Sequence, residues 1–212
     1  MRKPILILFL LLIAWAAYSL LFGFRVRYDR RVTLDQEPLQ YVITRAPFDH
    51  KGFKITPVAT FNIEARILSK RRYYFGKGSK IAPVDYALGW GPMSNYRVLK
   101  DIRITQFNRW YYYFYSLPPP IPKGEIIAHS ANMHLVPANN EIAARLQKGR
   151  RGQIVRIRGL LVNVEQEKGP AWKTSTSRTD TGSGSCEIIW VNEVEFPQKT
   201  IPSPHDAGPD RS

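Results

Sequence analysis

Ala59-Thr60-Phe61-Asn62-Ile63-Glu64-Ala65-Arg66-Ile67-Leu68 is the stretch on which the fold turns. Phe61, Ile63, Ala65 and Ile67 alternate with Asn62, Glu64 and Arg66, and a period of two puts the first set on one face and the second on the other. The segment reads as a half-buried strand, apolar towards a core and polar towards water. Working outward, Tyr41 to Thr44 reads as a short strand before it. Ile102 to Tyr115, rich in aromatic and β-branched residues, reads as one long strand or a hairpin. Pro118-Pro119-Pro120 ends it, since proline cannot donate to a ladder. Gly152 to Val164 is a further strand with Arg156 and Arg158 on its outer edge and a bulge at Gly159. Trp172 to Ser177 and Cys186 to Phe196 close the set. Ile142, Ala143 and Leu146 recur at helical spacing within Asn139 to Lys148, with Asn139 or Asn140 as cap and Gly149 as stop. Pro83 to Trp90 and Ser94 to Lys100 read as short helical turns, the second capped by Ser94. The predicted fold is mainly β with minor α, a small partly open β-barrel.

The late order of helix, Gly152-Gln153-Ile154-Val155-Arg156-Ile157-Arg158-Gly159 strand and closing strands resembles the second half of an oligonucleotide/oligosaccharide-binding (OB) barrel. That resemblance implies binding more than catalysis. A second resemblance rests on Asp85-Tyr86-Ala87-Leu88-Gly89-Trp90-Gly91-Pro92-Met93-Ser94, on His129-Ser130-Ala131-Asn132-Met133-His134, and on Ser177-Arg178-Thr179-Asp180-Thr181-Gly182 with Cys186-Glu187. These segments look like those of a group of bacterial proteins with an N-terminal membrane segment. The likeness implies a location and carries no chemistry.

Ile5 to Phe24 is a run of twenty residues without a charge. A helix of that length rises roughly 30 Å, the thickness of a bilayer's hydrocarbon core. Arg2, Lys3 and Ala14-Trp15-Ala16 have the form of a cleaved signal, but cleavage after Ala16 would leave Ala17 to Phe24 as an apolar mature terminus. The expectation is an uncleaved single-pass anchor in a bacterial plasma membrane. Arg25, Arg27, Arg30 and Arg31 follow the run, and counted literally they hold the body in the cytoplasm. The short basic head before the run instead has the form of a signal anchor that delivers its domain outside, and this second orientation is the one expected. The lone Cys186 suits either side, because one cysteine makes no internal disulfide. The organisation expected is an anchor over 1–24, a membrane-proximal connector over 25–50, one β-rich domain over 51–196 and a Pro- and Gly-rich tail over 197–212.

The chain has 31 Lys and Arg against 17 Asp and Glu, a net charge of +14, with 44% hydrophobic and 12% aromatic residues. That composition excludes disorder throughout. An excess of about +9 remains once the residues flanking the anchor are set aside. Such a surface favours polyanions, and beside a bilayer the nearest is the headgroup layer. Lys70-Arg71-Arg72-Tyr73-Tyr74-Phe75-Gly76-Lys77-Gly78-Ser79-Lys80 interleaves cations and aromatics. Lys70, Arg71, Arg72, Lys77 and Lys80 are therefore candidates for lipid headgroups or another polyanion. Single-stranded nucleic acid needs the same pairing of stacking faces and charges, but the anchor makes it the less favoured partner. A solvated hairpin with inward aromatics explains the run equally well.

His129, Asn132 and His134, with Arg178 and Asp180, are the candidate ligand-binding set. Two histidines and an amide within six residues suit hydrogen bonding to a polar ligand, a general base or metal ligation, or simply loop residues bonding their own backbone. On an extended segment His134 and Asn132 share a face and His129 points the other way. No carboxylate completes a zinc spacing, so no metal or cofactor is expected. Asp180-Thr181-Gly182 lacks the apolar flank and the following fold of an aspartic protease motif, and reads as a turn. Cys186, His129 or His134, and Asp180 have the residue types of a thiol hydrolase. Cys186 nevertheless alternates with Ile188, Trp190, Val194 and Phe196 on an apolar face, which is where a core cysteine sits. Trp110 to Tyr115 could line a groove for carbohydrate or peptide, or pack a core. The expected function is a membrane-anchored, basic, β-rich domain that binds a ligand or partner and is not an enzyme. A hydrolase and an accessory subunit of a membrane complex are the alternatives.

Overall fold

The computed structural model describes residues 8–15, 32–166, 171–177 and 186–197. Residues 8–15 are helical (α1) and solvent-exposed. The rest of the apolar run lies outside the described residues, and among the described residues no helix is long and apolar enough to cross a membrane.

The alternating stretch grows into β3 (Phe53–Arg72), a 20-residue strand. One edge of β3 pairs along its later half with β4 (Val84–Gly89), and the other pairs with β8 (Ile154–Glu165), both antiparallel. β4 pairs with β7 (Ser130–Pro137), β7 lies parallel to β9 (Glu187–Glu195), and β9 returns antiparallel to β8. The hydrogen-bonded path thus leaves β3 and comes back to it, giving a mainly β domain with a partly closed sheet. β1 (Leu39–Val42) and β2 (Phe48–His50) pair with the earlier part of β3. Val32 and Leu34 are buried against Ile154, so residues expected as connector pack into the domain. α5 (Asn140–Lys148) sits between β7 and β8 in the chain, and the Asn139 side chain accepts from the Ile142 amide as its N-cap. The helix and its asparagine cap are where the sequence places them.

Phe61, Ile63, Tyr86, Leu88, Met133, Leu135, Ile157 and Ile189 share the inner core. The outer face of β4 and β7 is covered as well. A two-stranded sheet of β5 (Ile102–Phe107) and β6 (Trp110–Tyr115) packs Ile102, Ile104, Tyr111, Tyr113 and Tyr115 against Leu68, Ala87 and Ile126. A third cluster joins Ile55, Val162, Ile188 and Val136 to Ile81 of α2 (Lys77–Ile81) and to Ala82 just after it, with Trp172 and Trp190 at its rim.

Several local expectations are corrected by the structure. Val84–Gly89 is a strand and not a helical turn: all six residues are buried, and a strand covered on both faces loses its period of two. Arg66, expected to face water, is fully buried at the point where β3 meets both Gly89 and Ile154. Trp172 to Ser177 is no strand; Trp172 makes a single bridge to Val164. On β9 the apolar face is not one set. Ile188 and Trp190 join the outer cluster while Ile189, Val191 and Val194 face the inner core. The register shifts where Arg158 faces Glu193 and Gly159 faces Val191, so the extra residue is Asn192 on β9 and the bulge lies opposite, not at, Gly159. Any Cβ on Gly159 would lie 1.9 Å from the Trp190 carbonyl oxygen. Lastly, Asn95 and not Ser94 caps α3 (Tyr96–Leu99) by accepting from the Arg97 amide. The Ser94 hydroxyl instead accepts from Leu34 N–H and donates to the Gly91 carbonyl.

Candidate functional site

Alternation along β4 and β7 sends Asp85, Asn132 and His134 to the outer face, opposite the core set Tyr86, Met133 and Leu135. Asp85 pairs with His134 in the register and Ala87 with Asn132. The β5–β6 hairpin reaches over this face. Its two-residue turn, Asn108-Arg109, has positive φ at both residues, 48° and 69°, as the mirror-image turns of tight hairpins require. Asparagine tolerates that region; arginine does so at some cost.

The Arg109 side chain lands in a recess whose floor is Asp85. Nη1 donates to Asp85 Oδ1 at 2.8 Å and to the Ala82 carbonyl at 2.9 Å. The guanidinium carbon lies 3.7 Å from the centre of the Tyr73 ring and 5.4 Å from that of Trp172. Gly78 forms the lip, where a Cβ would stand 2.8 Å from the Trp172 ring and 3.3 Å from Arg109 Nη2. Asp85 is fully buried and the Arg109 side chain 18% exposed. Burying a carboxylate costs free energy that a close cationic partner offsets, and Arg109 is that partner. The second carboxylate oxygen lies 3.0 Å from His134 Nδ1, close enough for attraction but not aligned along a ring N–H. Burial, and then the negative charge of Asp85, push the Tyr73 phenol up to about 12.

The backbone of the turn is held too. Arg109 N–H donates to the Tyr73 hydroxyl at 3.2 Å, and the Arg109 carbonyl accepts from Asn132 Nδ2 at 2.9 Å. Gln106 Nε2 donates to Asn132 Oδ1 at 2.6 Å. Cys186 Sγ sits 3.9 Å from Asn132 Nδ2 and from the Arg109 carbonyl, so the half-buried thiol borders this polar cluster and does not enter the core as expected.

Of the expected ligand set, Asn132 and His134 meet here. His129 does not: it follows α4 (Lys123–Ala128), with Nδ1 3.0 Å from the Glu125 carbonyl and Nε2 3.2 Å from Glu37 Oε1. It lies beside Gly91 and the Glu37–Trp90 pair. Arg178 and Asp180 lie outside the described residues. Among the described residues, no three His, Cys, Asp or Glu side chains gather as a metal site. Asp85, Tyr73 and Arg109 were not singled out in the sequence. The one signal was Asn108-Arg109 between two aromatic runs, a turn dipeptide with a long cation at the tip.

The basic run divides. Lys70 Nζ donates to the Gln147 carbonyl at 3.0 Å and to that of Gly149, and Arg72 donates to the Gln147 carbonyl, so both cations serve the C-terminus of α5. Burial, then Arg72 and Arg150, lower the Lys70 pKa. Arg71, Lys77 and Lys80 are exposed. Tyr73 turns inward, whereas Tyr74 and Phe75 are 70% and 92% exposed. On β6 the same split holds: Tyr111, Tyr113 and Tyr115 pack, and Tyr112 and Phe114 face water.

No protein-family model matches the chain, and no curated protein or solved structure is significantly similar to it.

Proposed function

We propose that the chain is a membrane-tethered binding module, an OB-type barrel that meets anionic headgroups through residues 71–80. The observation that carries this reading is the pair Tyr74 and Phe75, exposed between the exposed cations Arg71, Lys77 and Lys80. Aromatic rings suit the interfacial layer, and each nearby cation adds about 1 kcal/mol of attraction to anionic lipid. The barrel assignment is supported by the cyclic strand order β3-β4-β7-β9-β8, by the one parallel pair β7–β9 in that cycle, and by α5 between the third and fourth of these strands. In such a barrel the loop after the first strand is a binding loop, and here that loop carries Tyr74 and Phe75.

Binding is favoured over hydrolysis because the charged groups gathered at the candidate site neutralise one another. Asp85 is bound to Arg109, and Cys186 borders Asn132. The apolar run 5–24 supplies the tether, and the basic head Arg2-Lys3 favours a domain outside the bacterial plasma membrane.

The test uses the full chain in lipid nanodiscs. Amide exchange over 71–80 is expected to slow in discs containing phosphatidylglycerol relative to phosphatidylcholine alone, and the triple variant R71A/K77A/K80A is expected to lose the difference. Equal exchange in both discs would remove the headgroup reading.

A further inference from the structure

Arg109 sits in its recess as a ligand sits in a site. Two aromatic faces flank the guanidinium, a buried carboxylate meets one nitrogen, and a backbone carbonyl accepts from the same nitrogen. Such a set is what selective recognition of an organic cation requires. The acceptors at the floor make the choice finer: Asp85 Oδ1 and the Ala82 carbonyl both need an N–H, which a guanidinium offers and a quaternary ammonium lacks. His134 Nδ1 lies 3.0 Å from the other carboxylate oxygen, while Oδ1 meets the cation.

The occupant is carried on the tip of the β5–β6 hairpin, which Tyr73 and Asn132 hold by hydrogen bonds to the Arg109 backbone. Within the described sheets, β5 and β6 hydrogen-bond only to each other, so no ladder ties the hairpin to the barrel. Its outer face and tip are exposed at Phe107, Tyr112 and Phe114. The turn holds Arg109 at φ 69°, a conformation that arginine rarely adopts, so the backbone gains when the tip relaxes.

We propose that Tyr73, Trp172, Asp85 and the Ala82 carbonyl form a guanidinium-binding site, which Arg109 fills in the resting state and which takes an external arginine-like group when the hairpin tip withdraws. Arg109 is then a tethered competitor. A side chain held this close acts at an effective concentration in the millimolar range or above, so an external cation is shut out until the tip lifts.

The test uses the full-length protein in detergent, with methylguanidinium as the probe and tetramethylammonium as the control. For Arg109→Ala, millimolar methylguanidinium is expected to raise the melting temperature saturably and to change tryptophan emission with the same midpoint. Wild type should require at least about tenfold more probe, given the tethered occupant. Tetramethylammonium should do neither, and the double variant D85N/R109A should not respond. A folded Arg109→Ala protein indifferent to methylguanidinium overturns the proposal. So does an equal response from D85N/R109A or from wild type. If Arg109→Ala does not fold alone, refolding with methylguanidinium decides: recovery supports the site and its absence refutes it.

Discussion

At the scale of single residues, Arg66 is the position where local pattern and final environment disagree most. It stands among Asn62 and Glu64 in the polar half of an alternating strand, yet its side chain is fully buried. Its Nε donates to the Ser94 carbonyl at 2.7 Å, Nη1 to Gly152 at 2.9 Å and Nη2 to Val32 at 2.9 Å. One planar fork thereby joins the entering chain, the turn after β4 and the start of β8. Only arginine offers donors in that geometry. Arg66→Ala would strand three buried carbonyls and leave a cavity, at a cost on the order of 3–5 kcal/mol. Chemical denaturation should show it, and Arg66→Lys should recover only part of the loss. A residual effect below about 1 kcal/mol would mean that water serves those carbonyls equally well. Arg109 carries the same lesson in a looser setting: its identity as a cation was plain, but its partner Asp85 is twenty-four positions away.

At the scale of elements, the run 70–80 had been read as one basic stretch, and the fold separates it by period. Lys70 and Arg72 lie at the end of β3 on the side that meets the last turn of α5, while Arg71 points away. Helix C-terminal carbonyls carry partial negative charge and attract cations. K70A/R72A is therefore expected to lower stability by about 1 kcal/mol while leaving the lipid dependence of exchange over 71–80 intact. R71A/K77A/K80A should do the reverse. Two variants with the same stability loss would show that the division by period is mistaken. β6 divides likewise: Tyr111, Tyr113 and Tyr115 share the packed face, and Tyr112 and Phe114 face water. Which face would be covered was decided by packing against Leu68, Ala87 and Ile126, distant in the chain.

At the scale of the whole molecule, the packing of distant elements buries phenols that the sequence spaces widely. Burial pushes Tyr73 and Tyr111 up to about 12 and raises Tyr86, whose hydroxyl donates to the Leu146 carbonyl. In the unfolded chain these phenols titrate near about 10. Below that pH both states keep the protons and stability is insensitive to them. Between about 10 and 12 the unfolded state sheds protons that the fold retains, so stability falls as pH rises. Denaturant midpoints should drop across that window, with a shallower fall for Tyr111→Phe, and a flat profile would refute the burial. The amino-acid sequence by itself determined the β-rich class, the central alternating strand, the asparagine-capped helix, and the basic balance. These are local properties, written in periodicity and in the conformational needs of single residues. Tertiary structure alone decided that β4 is a strand, that Arg66 is buried, and that Asp85, Tyr73, Trp172 and Arg109 meet. Each of these depends on which distant element covers a face, and a chain pattern reports only that a face exists, not what will be laid upon it.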